Sequence, residues 1–362
     1  MKFADEDVES YIARLPPSEG LAAGFRAWGL EYRWFALLTT VTGNVAAMLA
    51  GTIINVAIPD IMGAFGISQA DAQWLSTANL AAATVSMLAS SWMVRVLGLR
   101  QTVNISMCLL LAGSLLGGLA NNTDVMIISR VMQGITAGLL TPLSTMIIFQ
   151  VFLPGKQGIA IGVSTVGIIL APAIGPAIGG ILIDTFNWRY VFYLGIPFSL
   201  ITLAASFAFM PARQALATRV PFDWNGMIVL SLALIALLVG LSNGEKDGWG
   251  SDFILGCLAV ALVSGAGFVW WELRAEHPLL DLGLFANRNF TIMGINSFVF
   301  GAGLFASTYL VPLFLQLVQH LSATQAGALM IPPGIAMVLI FPYAGKVAEL
   351  VDHRLLIGCG IG

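Results

Sequence analysis

Charge is scarce in this sequence. Its 362 residues include 16 Lys and Arg and 19 Asp and Glu, so that 10% of the chain is charged, against about 25% in soluble domains. With 58% of residues apolar and a mean hydropathy of +0.88, there is too little polar surface to wrap a water-soluble protein of this size. That excludes a cytosolic enzyme, a disulfide-stapled secreted domain and a disordered chain. Cysteine is nearly missing as well. Cys108, Cys257 and Cys359 all lie in apolar runs; they give neither a disulfide framework nor metal-ligand spacing and are expected to be small buried hydrophobes. A net charge of −3 supplies no basic surface for a nucleic-acid partner. No P-loop, metal cluster or nucleophile constellation is legible, so neither a cofactor nor covalent chemistry is expected. What is abundant is glycine, at 39 residues, and methionine, at 14, the composition of closely packed membrane helices.

A bilayer core takes about 20 apolar residues per helix. Ten runs qualify, at 35–57, 74–94, 102–120, 125–149, 158–182, 190–210, 225–242, 253–271, 291–317 and 325–344, and an eleventh starts at Leu355 but reaches Gly362 without enough residues to cross. The expected fold is therefore an all-α polytopic membrane protein. Residues 1–33 form a cytoplasmic tail whose stretch 20–33 (GLAAGFRAWGLEYR) is expected to lie along the membrane surface. Residues 34–211 hold six spans, 212–272 a cytoplasmic loop and two linker spans, and 273–362 an incomplete second bundle of two full spans and the start of a third. The acidic start (Asp5, Glu6, Asp7, Glu9) is unlike a cleavable signal peptide.

Basic residues are retained on the cytoplasmic side. With the N-terminus inside, Lys2, Arg14, Arg26, Arg33, Arg95, Arg100, Lys156, Arg213, Arg219, Arg274, Arg288, Lys346 and Arg354 fall in the cytoplasm. Only Arg189 and Lys246 fall outside, and Arg130 falls within a span. One missed span would scramble this bias, so orientation and span count support each other.

Four segments in order carry a family resemblance: TIINVAIPDI (52–61) in span one, RVMQGITAG (130–138) in span four, GVSTVGIILAPAIGPAIGG (162–180) in span five, and NWRYVFYLGIP (187–197) after it. From about residue 34 onward the chain resembles the major facilitator superfamily, specifically its fourteen-span drug:proton antiporters of the EmrB/QacA type. The resemblance implies a complete N-terminal six-helix bundle, two linker helices and a partial C-terminal bundle. It further implies export of lipophilic or amphipathic drugs across the plasma membrane by proton antiport and alternating access. In a Gram-negative source it implies a periplasmic adaptor and an outer-membrane channel as partners. Relatives need about four more helices, so the chain is expected to be a fragment. A non-transporting remnant or regulatory membrane protein, or the same carrier with a siderophore or fatty acid as cargo, are the alternative readings.

Arg130 shares a helix face with Gln133, Gly134, Ala137 and Gly138. A guanidinium is costly in lipid; it either serves the bundle interior, tuning a proton site or holding two helices in register, or snorkels outward beside Asp124. In span five, Gly158/Gly162 and Gly175/Gly179 have the spacing that lets helices touch backbone to backbone, while Pro172 and Pro176 bend the helix. With Gly180 they form an element expected to seal or rock against the other half, the plainer reading being packing alone. Asn44, Thr52 and Asn55 form a polar stripe in span one, closing at Pro59 and expected to face a cavity or a neighbouring helix. The relatives' LDxT pattern reads Leu49-Ala50-Gly51-Thr52 here, and their loop motif after span two retains Gly98 and Arg100 but has Ser91 and Arg95 at its glycine and acidic positions.

No acidic residue lies mid-span. Asp184, after Gly179-Gly180, is the nominated carboxylate for proton coupling, against the reading of an ordinary solvated loop residue. Phe298, Phe300, Phe305, Tyr309 and Gln316 in span nine are the candidates for a drug-accommodating wall, lipid-facing or core roles being the alternative.

Overall fold

The computed structural model describes residues 8–16, 18–211 and 221–348. The expected eleventh run from Leu355, together with Cys359, Arg213, Arg219, Arg354 and Asp5–Asp7, lies outside the described residues. The chain runs through α1 (Val8–Ile12), α2 (Glu19–Trp28), α3 (Tyr32–Phe65), α4 (Gln69–Leu97), α5 (Leu99–Gly118), α6 (Thr123–Val151) and α7 (Gln157–Thr185). It continues through α8 (Tyr190–Tyr193), α9 (Gly195–Phe209), α10 (Trp224–Asp247), α11 (Asp252–Glu272), α12 (Arg288–Leu317), α13 (Ala323–Leu329) and α14 (Ile331–Ala348). Among the described residues there is no strand.

Among the described residues, nine stretches are long and apolar enough to span a bilayer. The tenth expected span is built in two pieces, α13 and α14, parted at Met330. Pro332 and Pro333 explain the break, because neither can donate to the carbonyl one turn back and each ring crowds it. Pro197 does the same to Tyr193, and the sixth span parts at Leu194 between α8 and α9. Pro59, in contrast, does not close the first span: α3 runs through it to Phe65. The turn expected over 242–252 is also shorter, since α10 continues to Asp247 and reverses only through Gly248, at φ 86.

Helices alternate in direction, so α3 begins at what we call the near face and ends at the far face. Lys156 approaches the Tyr11 ring at 5.9 Å on the near face, whereas Lys246 pairs with Asp71 at 3.1 Å on the far face. The N-terminal helices dock on the bundle through their apolar side rather than presenting it to lipid. Ser18 caps α2, Phe25 stacks edge-on against Tyr32 at 5.0 Å, and the buried Tyr11 hydroxyl donates to Val151 O at 2.9 Å. The 20–33 segment, expected along the membrane surface, packs Leu21 and Phe25 against the near face of the bundle. The linker hairpin α10–α11 is tied internally by Trp271 Nε1, which donates to Asp223 at 2.9 Å, and it meets α4 through Trp92, Phe222 and Trp224. Cys108 is exposed and Cys257 half-exposed, so an apolar run did not place its cysteine in the core: one side of every outer helix must meet lipid.

The loop motif after span two is a turn without a loop. Gly98 stops α4 at φ 85, ψ 161, and α5 starts at the next residue. Arg100 Nε reaches Met210 O at 2.9 Å, fastening α5 to the end of α9, whereas Arg95 is exposed and bends back toward Ser91 O. Because such backbone angles are strained for any residue with a Cβ, Gly98→Val is expected to lower stability by about 1–3 kcal/mol, measured as the thermal unfolding midpoint of detergent-purified protein.

A candidate cargo cavity beside a buried arginine

A cavity of about 630 Å³ lies between α3, α4, α6 and α12, within the range of small-molecule sites. Met48, Gly51, Thr52 and Asn55 line it from α3; Ala137, Gly138 and Thr141 from α6; Phe305, Ala306, Tyr309 and Leu310 from α12. The α4 wall is the stripe Gln69, Gln73, Ser76, Leu80, Ala83 and Met87, which has the three-to-four spacing of one helix face. That spacing is present in the sequence, but no charged residue marks the stripe as a functional face.

The expected span-one stripe divides. Asn55 faces the cavity: its Nδ2 donates to Thr308 O at 3.1 Å and its Oδ1 accepts from Ser76 Oγ at 2.9 Å. Thr52 lines the cavity but donates to Met48 O one turn back. Asn44 does not reach it. Fully buried, Asn44 donates to Leu140 O and Ser144 Oγ on α6 and binds helix to helix. Of the span-nine candidates, Phe305 and Tyr309 line the cavity, Gln316 donates to Val56 O at 3.0 Å, and Phe298 and Phe300 are exposed.

Arg130 sits behind the cavity floor, 1% exposed. Nε donates to Leu75 O at 2.9 Å, Nη1 to Ala50 O at 2.8 Å and to Gln133 Oε1, and Nη2 to Gly51 O at 3.2 Å. Asn79 Nδ2 in turn donates to Arg130 O at 3.0 Å. The outward reading beside Asp124 is thereby excluded, and the guanidinium fork instead joins α3, α4 and α6. Gly134 and Gly138 serve that junction, for a Cβ at either would run into the backbone of Asn79 or Ala83 on α4.

The span-five glycines separate as well. Gly158 and Gly162 have nothing within 4 Å of where a Cβ would stand, so this pair makes no close helix contact. Gly175 and Gly179 admit side chains of α3, namely Thr52 and Ile53. Backbone-to-backbone approach occurs at Gly180, against Ala323 and Thr324, and is reciprocated at Gly327, against Pro176 and Ala177. Pro172 and Pro176 lie within an α7 that remains helical throughout. Just beyond, Asp184 Oδ2 accepts from the Thr324 N–H at 2.9 Å, so it is not a free loop carboxylate. Thus the far-face half of α12 is closed against α3, and α13 against α7, of the first six spans. Toward the near face, α12 is exposed from Asn289 to Val299 apart from half-buried Thr291 and Asn296.

A family model for the Major Facilitator Superfamily matches residues 40–362. The chain belongs to that superfamily. Its relatives include the Multidrug export protein EmrB of Haemophilus influenzae, 32% identical over 86% of this chain and 61% of the relative. Another is the Multidrug transporter protein MdtP of Bacillus subtilis, 33% identical over 87% of this chain and 59% of the relative. The chain spans about three-fifths of the length of these relatives. Among solved structures, the peptide transporter POT in complex with sulfate superposes with a TM-score of 0.62 at 16% identity, covering 97% of this chain and 73% of that one. That likeness concerns the facilitator fold alone. The fold class, a helical facilitator embedded by apolar spans, is therefore as the sequence motifs implied, and multidrug exporters are among its relatives.

Proposed function

We propose that this facilitator is a secondary exporter of lipophilic or amphipathic toxic compounds, driven by proton antiport and working by alternating access. The observation that carries the reading is the cavity between the first six spans and α12, mostly apolar in its wall and closed toward one face. A cargo of drug size fits such a space, and apolar and aromatic walls accept varied shapes. The relatives named as multidrug exporters and transporters support the same cargo class. In this reading the near face is cytoplasmic, because the basic residues gather there, and the membrane is the bacterial inner membrane. A periplasmic adaptor and an outer-membrane channel are then the partners in a Gram-negative cell. Arg130, Gln133 and Gly134 set the register of α3, α4 and α6 behind the cargo. Asp184, Gly180, Pro176 and Gly327 form the far-face seal, whose Asp184–Thr324 bond must break whenever that face opens.

The test uses the full-length protein in an efflux-deficient strain and in inverted membrane vesicles, with lipophilic compounds of positive, negative and zero charge. Resistance to at least one and uptake that collapses when the pH gradient is dissipated are expected. Absence of resistance to all, with flux indifferent to the gradient, overturns the reading.

A further inference from the structure

Among the described residues the cavity wall contains no Asp, Glu, Lys, Arg or His, yet a full positive charge stands directly behind it. Every hydrogen-bond partner of the Arg130 side chain is neutral: three backbone carbonyls and the Gln133 amide. Carbonyl dipoles solvate a guanidinium but do not cancel its charge, and in a medium of low dielectric constant the remaining field reaches well beyond contact distance. Two residues connect that charge to the cavity. Gly51 accepts from Nη2 and Asn79 is bonded to the Arg130 backbone, and both form part of the cavity floor. The acid closest in sequence to the α4 wall, Asp71, is occupied by Lys246.

Hydrogen-bonding capacity in the wall is also uneven. The hydroxyls of Thr52, Thr84 and Thr141 are spent on carbonyls one turn back. Tyr309, by contrast, has a phenol oxygen buried without any hydrogen-bond partner, an arrangement that costs free energy unless something fills it. No water-sized space touches that oxygen in this structure, so it donates to an anionic oxygen only once the ring turns it into the cavity.

Resting on the export reading above, we propose that this cavity selects lipophilic anions, compounds with an apolar body and one carboxylate or similar negative group, over lipophilic cations of the same size. The apolar body lies along Leu80, Met87 and Phe305, and the negative group is drawn toward the Gly51–Asn79 floor and the Tyr309 hydroxyl.

Tetraphenylborate and tetraphenylphosphonium test this directly, since they share size and shape and differ in the sign of their charge. Binding of each to the full-length protein in detergent at low salt is measured by calorimetry. Tetraphenylborate is expected to bind about tenfold tighter or more. A Cβ at Gly51 meets only Asn79 Oδ1, at 3.6 Å, so Gly51→Asp places a carboxylate on the floor without crowding. It is expected to abolish or reverse the preference, while the isosteric Gly51→Asn retains an anion preference. Tyr309→Phe is expected to weaken decanoate several-fold, more than it weakens tetraphenylborate. Equal or tighter binding of the phosphonium by the unsubstituted protein overturns the inference and leaves the export reading standing. An anion preference that survives Gly51→Asp also overturns it. If neither ion binds, the inference falls, while the export reading is decided by the resistance and flux test above.

Discussion

Arg130→Ala in the full-length carrier is expected to reduce export to the level of empty vesicles while the protein still accumulates in the membrane. The expectation follows from what the guanidinium joins. It reaches Leu75 on α4 and both Ala50 and Gly51 on α3 from its own place on α6, so removing it unties three helices at the point where they form the cavity floor. Charge-assisted hydrogen bonds contribute roughly 1.5–3 kcal/mol each, but loss of the side chain also removes the cost of burying its charge. The net change in stability is therefore smaller than the sum of the bonds, and the larger effect falls on function. Arg130→Lys discriminates between charge and geometry. An ammonium on a flexible stem is a single point of donation and does not reproduce a planar fork that reaches two other helices, so it is expected to restore less than a tenth of the flux. Restoration of more than half would mean that charge alone matters at this position. The measurement is gradient-driven uptake into inverted vesicles, normalised to the amount of inserted protein.

The second large effect is expected at the far-face seam. Gly180→Val and Gly327→Val each put side-chain atoms where the backbone of the facing helix lies. Overpacking of this kind costs about 1–3 kcal/mol, and the cheapest relief is for α7 and α13 to part. Export should fall at least tenfold, and a cysteine placed at Gln73 in the cavity wall should become reactive to a membrane-impermeant maleimide from the far face. Gly158→Ala and Gly162→Ala, with open space at both positions, are expected to leave flux and labelling unchanged. If all four substitutions behaved alike, the seam would not be the controlling contact.

These two predictions also mark the limit of what the sequence could express. Apolar runs of bilayer length reveal spans directly, because hydrocarbon tolerates few alternatives, and α3 to α12 lie where the runs are. The break at Met330 is legible in principle from Pro332-Pro333, since a missing donor acts locally. Glycine spacing is different. Gly158/Gly162 and Gly175/Gly179 look the same as letters, but what a glycine touches depends on a helix far away in sequence, such as α13 for Gly180. The two asparagines of span one show the same limit. Asn44 and Asn55 are eleven residues apart on one face, yet α6 takes the first and the cavity takes the second. Arg130 was recognisable as a costly residue, and its burial followed from that cost. Its neutral partners were not recognisable, because backbone carbonyls leave no mark in a sequence. Tyr309 was one aromatic among several until its unsatisfied hydroxyl distinguished it.

The glycine contact between α7 and α13 has a mechanical consequence. Gly180 lies near one end of α7, and Gln157, at the other end, is about 35 Å away at 1.5 Å per residue. A tilt of about 10° about that fulcrum carries the distant end through roughly 6 Å, enough to admit or release a small molecule, while atoms at the fulcrum hardly shift. Leverage of this kind keeps displacement small at the seam and makes the near end of α7, where Ala160 packs in the core and Gln157 donates to Phe152 O, the region that must repack.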